Sequence, residues 1–388
     1  MRRAGLTLTR HYLDHASTSP PRPEVARAMT NWLEPPWALL GDPGRVHTEG
    51  RIVRVAVEEA REAVAGLLGT RPRQVVFTSG GTEAANAAVW GATRARPGPV
   101  VLAAVEHSSV RDASTRAAAV IDVWVDGVGR IDPAAVDDAL ARAAHEGAPA
   151  ALVHCQAANH EVATVQPVRA VVEVCRRHGV LVHVDACAAA GHVPVGVDEW
   201  GADLVSVSAH KLGGPPGIGA LVVRRGLRLD PLIVGGEQER ARRGGLENVP
   251  GIVGFGAAAA ALGAAALHRE AKDARRRTDT ISGAALAVDG VRTLGDPTDR
   301  VPHIVCLTVG GVEAEPVLLA LDRAGIAAHS GSSCSSEALA PSPVLEAMGA
   351  DAERSLRLSV GWSTTDEDVD AFVRAFPVVV AELRALRT

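Results

Sequence analysis

Only two lysines stand among the 40 basic residues of this 388-residue chain, so chemistry that needs a deprotonated amine has two candidates, Lys211 and Lys272. Lys272 sits in His268-Arg269-Glu270-Ala271-Lys272-Asp273, an ordinary charged helix face. Lys211 follows Ser208-Ala209-His210 at the end of an apolar run and precedes Leu212-Gly213-Gly214-Pro215-Pro216-Gly217, a loop with little helical surface to solvate an ammonium. Lys211 is therefore the reactive candidate. Two further apolar runs end on chemically loaded residues. One passes into Ser79-Gly80-Gly81-Thr82-Glu83, where glycines and a hydroxyl open a helix and leave amide donors free for a phosphate. The other ends on Asp185, which suits either a helix cap or the partner of a buried cation.

Phosphate donors, an acid and a lysine at neighbouring strand ends are the parts that pyridoxal phosphate requires. The lysine holds the cofactor covalently, and the acid keeps the ring nitrogen protonated so that the ring accepts electrons from the substrate's α-carbon. His107, in Glu106-His107-Ser108-Ser109 after a fourth run, is placed to stack on such a ring and to move protons. Further along, Cys334 is the centre of Ser330-Gly331-Ser332-Ser333-Cys334-Ser335-Ser336, a small-residue stretch that predicts an exposed loop and an accessible thiolate. Cys155, Cys175, Cys187 and Cys306 lie in apolar surroundings that suit inert core cysteines. Arg357 alternates with Leu356 and Leu358, which predicts an inward-facing guanidinium suited to a substrate carboxylate.

The elements that must position these residues follow from hydrophobic rhythm. Between residues 74 and 223, short apolar runs alternate with longer Ala-rich stretches of helical period. The strands are expected at 74–78, 100–104, 120–125, 150–155, 180–185, 204–208 and 218–223, with helices that include 83–93, 133–144 and 168–178. This α/β pattern predicts a parallel, doubly wound sheet, in which ligands bind beyond the carboxyl ends of the strands. Residues 254–282 read as one long helix leaving that domain. A second, small α/β domain then follows, with strands at 303–309, 327–330 and 356–360 and helices at 313–324 and 366–384. The opening segment, with Pro20, Pro21 and Pro23 before an amphipathic helix, is expected to pack beside it.

Composition removes several function classes. With 45 acidic residues against 40 basic ones and no long basic run, direct nucleic-acid binding is not expected. No segment approaches the roughly 20 apolar residues of a membrane span, and the N-terminus lacks the apolar core of an export signal. A soluble, cytoplasmic protein is the expectation. Five cysteines at unrelated spacings, without a CxxC pair, indicate neither a disulfide framework nor a metal site.

The motifs taken in order run through Tyr12-Leu13-Asp14-His15-Ala16-Ser17-Thr18, Phe77-Thr78-Ser79-Gly80-Gly81-Thr82-Glu83, Glu106-His107, His183-Val184-Asp185-Ala186 and Ser208-Ala209-His210-Lys211. They continue through Gly235-Gly236-Glu237-Gln238-Glu239-Arg240, Asn248-Val249-Pro250-Gly251 and Ser330-Gly331-Ser332-Ser333-Cys334. Over almost the whole chain they resemble the cysteine desulfurase family, pyridoxal-phosphate enzymes of the aminotransferase class V fold. The resemblance implies aminotransferase fold type I: a large domain over 20–262 with a mostly parallel seven-stranded sheet, and a small domain from 1–19 and 263–388. It implies that Lys211 holds the cofactor, Asp185 pairs with its ring nitrogen, His107 stacks on the ring, and Gly81, Thr82, Ser208 and His210 hold the phosphate. Arg357 would bind the carboxylate of L-cysteine, and Cys334 would take its sulfur as a persulfide, leave alanine, and pass the sulfur to an acceptor protein. The family is dimeric, so a homodimer is expected, with residues 235–248 reaching the neighbouring subunit's site.

Four positions depart from the family pattern. Asp42 stands where an asparagine lies near the substrate carboxylate, and His160 replaces a second asparagine close to the cofactor. Ala188 replaces a glutamine that contacts the ring hydroxyl, and Leu246 replaces a threonine that contacts phosphate from the partner chain. These changes leave a second reading, a repurposed lyase acting on another amino acid or another C–S or C–N bond, and a third, a catalytically silent partner protein. Lys211, Asp185, His107 and Cys334 together argue against the third.

Overall fold

A computed structural model of the chain describes residues 9–34, 41–330 and 341–386. Twelve strands are found among them: β1 (His11–Tyr12), β2 (Val75–Thr78), β3 (Val100–Ala103), β4 (Val120–Val123), β5 (Leu152–Gln156), β6 (Leu181–Asp185), β7 (Leu204–Ser208), β8 (Gly219–Val223), β9 (Val291–Leu294), β10 (Ile304–Val309), β11 (Ile326–Ala327) and β12 (Ser355–Ser359). Seven form one sheet in the order β2-β8-β7-β6-β5-β3-β4. Only β8 runs against its neighbours, and every other pairing in the sheet is parallel. The runs are rich in valine and leucine because both faces of such a sheet are covered by helices. Parallel pairing brings the carboxyl ends of β3, β5, β6 and β7 to one edge, and β2, beyond the antiparallel β8, ends at that edge as well.

The smaller sheet, β12-β10-β9, is antiparallel, and β1 pairs in parallel with β11 beside it. Its core gathers Leu307, Leu321, Leu356, Leu358, Phe372 and Phe376, all fully buried, against helix Asp366–Ala385. Strand β9 carries no sequence signal of its own. Val-Arg-Thr-Leu at a sheet edge leaves its two middle residues exposed, so neither an apolar run nor a clean alternation marks it.

Two expectations are corrected. Residues 254–282 are not one helix: Val249–Ala261 and Ala264–Leu286 meet at a bend of 77°, and no single described helix is long and apolar enough to cross a membrane. Gly263 takes an extended conformation at the break, where its poor helix propensity makes interruption cheap. The helix after the prolines, Pro23–Leu33, packs against Val249–Ala261 on the large sheet's side rather than beside the small sheet. Its stripe Val25, Met29 and Trp32 belongs to the large core, and only the preceding β1, paired with β11, lies beside the small sheet.

One buried ion pair anchors a strained loop near the sheet edge. Arg61 and Glu239 make a bidentate contact at 2.7 and 2.8 Å with side chains 3% and 2% exposed, and Glu239 also accepts the Phe77 amide at 2.9 Å. Glu239, Arg240 and Ala241 all have left-handed backbones, with φ of 49°, 59° and 58°. Three consecutive non-glycine residues hold that conformation only where surrounding contacts over-determine it. Glu239→Ala, which strands a buried guanidinium, should therefore lower unfolding stability by about 3–5 kcal/mol, read from denaturant midpoints. A loss under 1 kcal/mol would mean that water replaces the carboxylate.

Candidate active site

The loaded strand ends converge on one cavity of about 470 Å³. Strand β2 delivers Gly81 and Thr82 at the start of the helix Gly81–Ala95, and the turn after β3 delivers His107 as the N-cap of Ser108–Ala117. The segment after β5 brings His160, β6 ends on Asp185, and β7 supplies Ser208 before the short turn that carries His210 and Lys211. Arg357 enters from β12 of the small sheet. These nine residues, all singled out from sequence, thus line one space.

Lys211 donates from Nζ to the carbonyls of Ala16 and Ser17, the latter at 3.1 Å. Burial holds its pKa below the ordinary lysine value, and the nearby Arg357 charge pushes it the same way. A lower pKa enlarges the neutral, nucleophilic fraction at neutral pH. His192 fixes the lysine's backbone: its Nε2 lies 3.1 Å from the Lys211 carbonyl, which can only accept, so this nitrogen carries the hydrogen.

Asp185 is held for the opposite purpose. Burial alone would raise its pKa, but the Cys187 amide bond and the neighbouring His107 and His183 outweigh that and leave it lowered. The Cys187 N–H at 2.9 Å and the Ser206 hydroxyl at 3.2 Å both reach Oδ1. Close by lies Glu106, which accepts the Gln156 amide at 2.7 Å through Oε1 while Oε2 has no hydrogen-bond partner among the described residues. Burial and the Asp185 charge push the Glu106 pKa up to about 8. At neutral pH the proton therefore sits on Glu106 and the negative charge on Asp185.

Gly81 and Thr82, which also line the cavity, open a 15-residue helix, and a helix start of this kind offers amide donors to an anion. The fit at Gly81 is close: a Cβ there would lie 2.6 Å from Cys187 Sγ, which would have to turn away. Ser208 and His210 line the cavity as well, and burial lowers the His210 pKa to about 4, so it is a neutral imidazole. This donor set, with a free amine and an ionised acid in the same cavity, fits pyridoxal phosphate.

The remaining expectations divide. Asp42 does not line the cavity; its Oδ1 accepts the Gly44 amide at 2.7 Å and its Oδ2 pairs with Arg45 at 3.1 Å. In Gly-Asp-Pro-Gly the short side chain closes its own turn, which removes it from a substrate-binding role in this arrangement. Leu246 lines a neighbouring hollow and is 64% exposed, whereas Ala188 does line the cavity. Cys334 lies outside the described residues. His160 meets His107 edge-on at 4.9 Å, with Nε2 3.5 Å from Glu161, and burial lowers its pKa.

Sequence reasoning missed three features here. Cys187 is not in apolar surroundings but lines the cavity beside Asp185; its place two residues past a loaded strand end was the available signal. Gln156, also at a strand end, had the same signal. Ala16 and Ser17 come from a distant segment; they lie in the Tyr12-to-Thr18 motif, but nothing local in it points to the lysine.

Comparison with known proteins agrees with this geometry. The aminotransferase class-V family model matches residues 11–372. The cysteine desulfurase IscS of Methanosarcina thermophila is 36% identical over 383 residues, 96% of this chain and 92% of that protein. A cysteine desulfurase of Cereibacter sphaeroides is 39% identical over 391 residues, 98% of each. Among solved structures, a NifS-like protein from Rickettsia africae superposes with a TM-score of 0.87 at 25% identity, covering 96% of this chain and 99% of that one. SspA in complex with cysteine superposes with a TM-score of 0.77 at 27% identity, covering 91% and 99%. The chain belongs to the aminotransferase class-V family, among its cysteine desulfurases.

Proposed function

We propose that this protein is a cysteine desulfurase that uses pyridoxal phosphate to take sulfur from L-cysteine and hand it to an acceptor protein. The observation that carries the reading is the convergence of Lys211, Asp185, the Gly81–Thr82 helix start and Arg357 on one cavity. When bound, the cofactor withdraws electrons from the substrate's α-carbon and so weakens bonds around it. Lys211 would hold it and move protons at the α-carbon through Nζ. Asp185 would keep the ring nitrogen protonated, Gly81, Thr82, Ser208 and His210 would hold its phosphate, and His107 would cover the ring. Arg357 would orient the substrate by its carboxylate. Cys334 would then attack the substrate sulfur, so that an S–S bond forms, the C–S bond breaks, and the carbon fragment gains a proton to become alanine. The direct test is production of alanine and protein-bound sulfur from L-cysteine in equal amounts; neither product appearing would end this reading.

His160 is assigned the contact to the ring hydroxyl that Ala188 cannot make, because both line the cavity and His160 lies edge-on to the stacking His107. His160→Ala should shift the pH titration of the cofactor's absorbance band by about 0.5 to 1 unit, the size of one neutral hydrogen bond. An unmoved titration would remove the assignment. The assembly we propose is a cytoplasmic homodimer. Ile233, Val234 and Leu246 are 37%, 75% and 64% exposed around the segment assigned to the partner subunit, and the described cysteines are all free thiols, as a reducing compartment keeps them.

A further inference from the structure

Arg357 is the largest fully buried side chain among the described residues, 1% exposed, and its guanidinium already has company. Nη2 donates to Asp14 Oδ1 at 3.0 Å and to Ser17 Oγ at 2.7 Å, while Nη1 donates to the His160 carbonyl at 3.0 Å. Ser17 Oγ in turn donates to Asp14 Oδ1 at 2.9 Å, which fixes the carboxylate in place. Nε is buried and has no partner among the described residues. The residue assigned to the substrate carboxylate therefore carries one resident carboxylate and two N–H groups, on Nε and Nη1, that no described acceptor takes.

The geometry points to Asp14 as a resident competitor that limits how tightly Arg357 holds an amino-acid carboxylate. This rests on the desulfurase reading above, in which Arg357 binds that group. An incoming carboxylate offers acceptors to guanidinium N–H groups that have none, which favours binding. It also sets a second negative charge beside Asp14 on a single guanidinium in a site shielded from water, where like charges are costly. The balance gives a moderate hold on carboxylates and lets the alanine product leave after its sulfur is gone. Asp14 acts through Arg357 and is a positioning residue. It lies some 340 residues away in sequence, on the segment that also holds Lys211 through the Ala16 and Ser17 carbonyls.

The test compares L-alanine with ethylamine, which differs only by lacking the carboxylate, by titrating the absorbance of the cofactor-loaded protein. Wild type should bind L-alanine more tightly than ethylamine. Asp14→Asn, which keeps an acceptor oxygen but drops the charge, should tighten L-alanine by about fivefold to tenfold and leave ethylamine unmoved. It should also melt lower than wild type without ligand and recover more on adding L-alanine, since the ligand then supplies the missing counter-charge. Asp14→Ser drops the same charge and should shift L-alanine in the same direction, which covers a folding failure of the asparagine variant. Weaker or unchanged L-alanine binding in the folded variants would overturn the inference while leaving the desulfurase reading intact. A wild type that does not prefer L-alanine over ethylamine would instead remove the role of Arg357, and the competition with it.

Discussion

Lys211→Ala should yield a colourless protein that does not retain pyridoxal phosphate through purification and that turns over L-cysteine about 10⁴-fold more slowly or worse. The measurement is the cofactor's absorbance together with alanine production. Removal of Nζ takes away the covalent hold and the group that moves protons at the α-carbon, so the two losses come together. The rest of the site is expected to survive, because the turn around Lys211 is fixed by backbone bonds: His192 to the Lys211 carbonyl, the Ser19 amide to the His210 carbonyl, and Arg22 to the Leu212 carbonyl. Lys272→Ala is the control and should leave both readouts unchanged. A Lys211→Ala protein that stayed yellow and active would show that the two-lysine argument chose wrongly.

The direction of the Lys211 shift adds a pH dependence. Burial first, then the charge of Arg357, lowers its pKa from 10.5. The neutral amine needed to capture the cofactor is therefore present at lower pH than for an exposed lysine. Capture by the cofactor-free protein should persist to lower pH than for an exposed lysine and fall as the lowered pKa is crossed from above. Arg357→Met removes the second cause, so Lys211 should then titrate higher and capture at a given neutral pH should slow.

Most of this site was legible because a parallel sheet translates sequence position into spatial position. Gly81, His107, Asp185 and Lys211 each follow or end an apolar run, and the rule that strand ends share an edge is enough to bring them together. What escaped detection depended on contacts between distant segments. Asp14 and Ser17 reach Arg357 and Lys211 from the start of the chain, a juxtaposition set by the pairing of β1 with β11 and by the bridge from Asp14 to Ser359. Resemblance and composition also gave way to local chemistry. The resemblance puts Asp42 near the substrate carboxylate, yet an Asp before Pro-Gly most cheaply satisfies its own backbone. The Ala-rich stretch from 254 looks continuous by composition, since one glycine at 263 is a weak breaker unless packing rewards a bend. Here packing does: Leu262 and Leu267, on either side of the break, are both buried in the large core.

Cys334→Ala should retain the cofactor's absorbance and its perturbation by L-cysteine while losing sulfur transfer about 10⁴-fold or more, because it removes the nucleophile alone. The other cysteines cannot stand in. Burial, as the leading cause at each, pushes Cys175 and Cys306 up to about 12 and Cys155 and Cys187 well above the ordinary thiol value. None offers a thiolate at neutral pH, and the thiolate is the attacking species. Cys187 is the informative case, since it lines the cavity yet sits beside the Asp185 carboxylate, whose charge opposes ionisation further. Mass spectrometry of wild type after L-cysteine should show the added sulfur on the peptide containing Cys334, with the Cys187 peptide unmodified. If Cys334→Ala still released alanine and sulfide at the wild-type rate, attack by a thiolate would not be the route of C–S cleavage. The repurposed-lyase reading would then take over, with Ala188 and His160 the first positions to examine for its substrate.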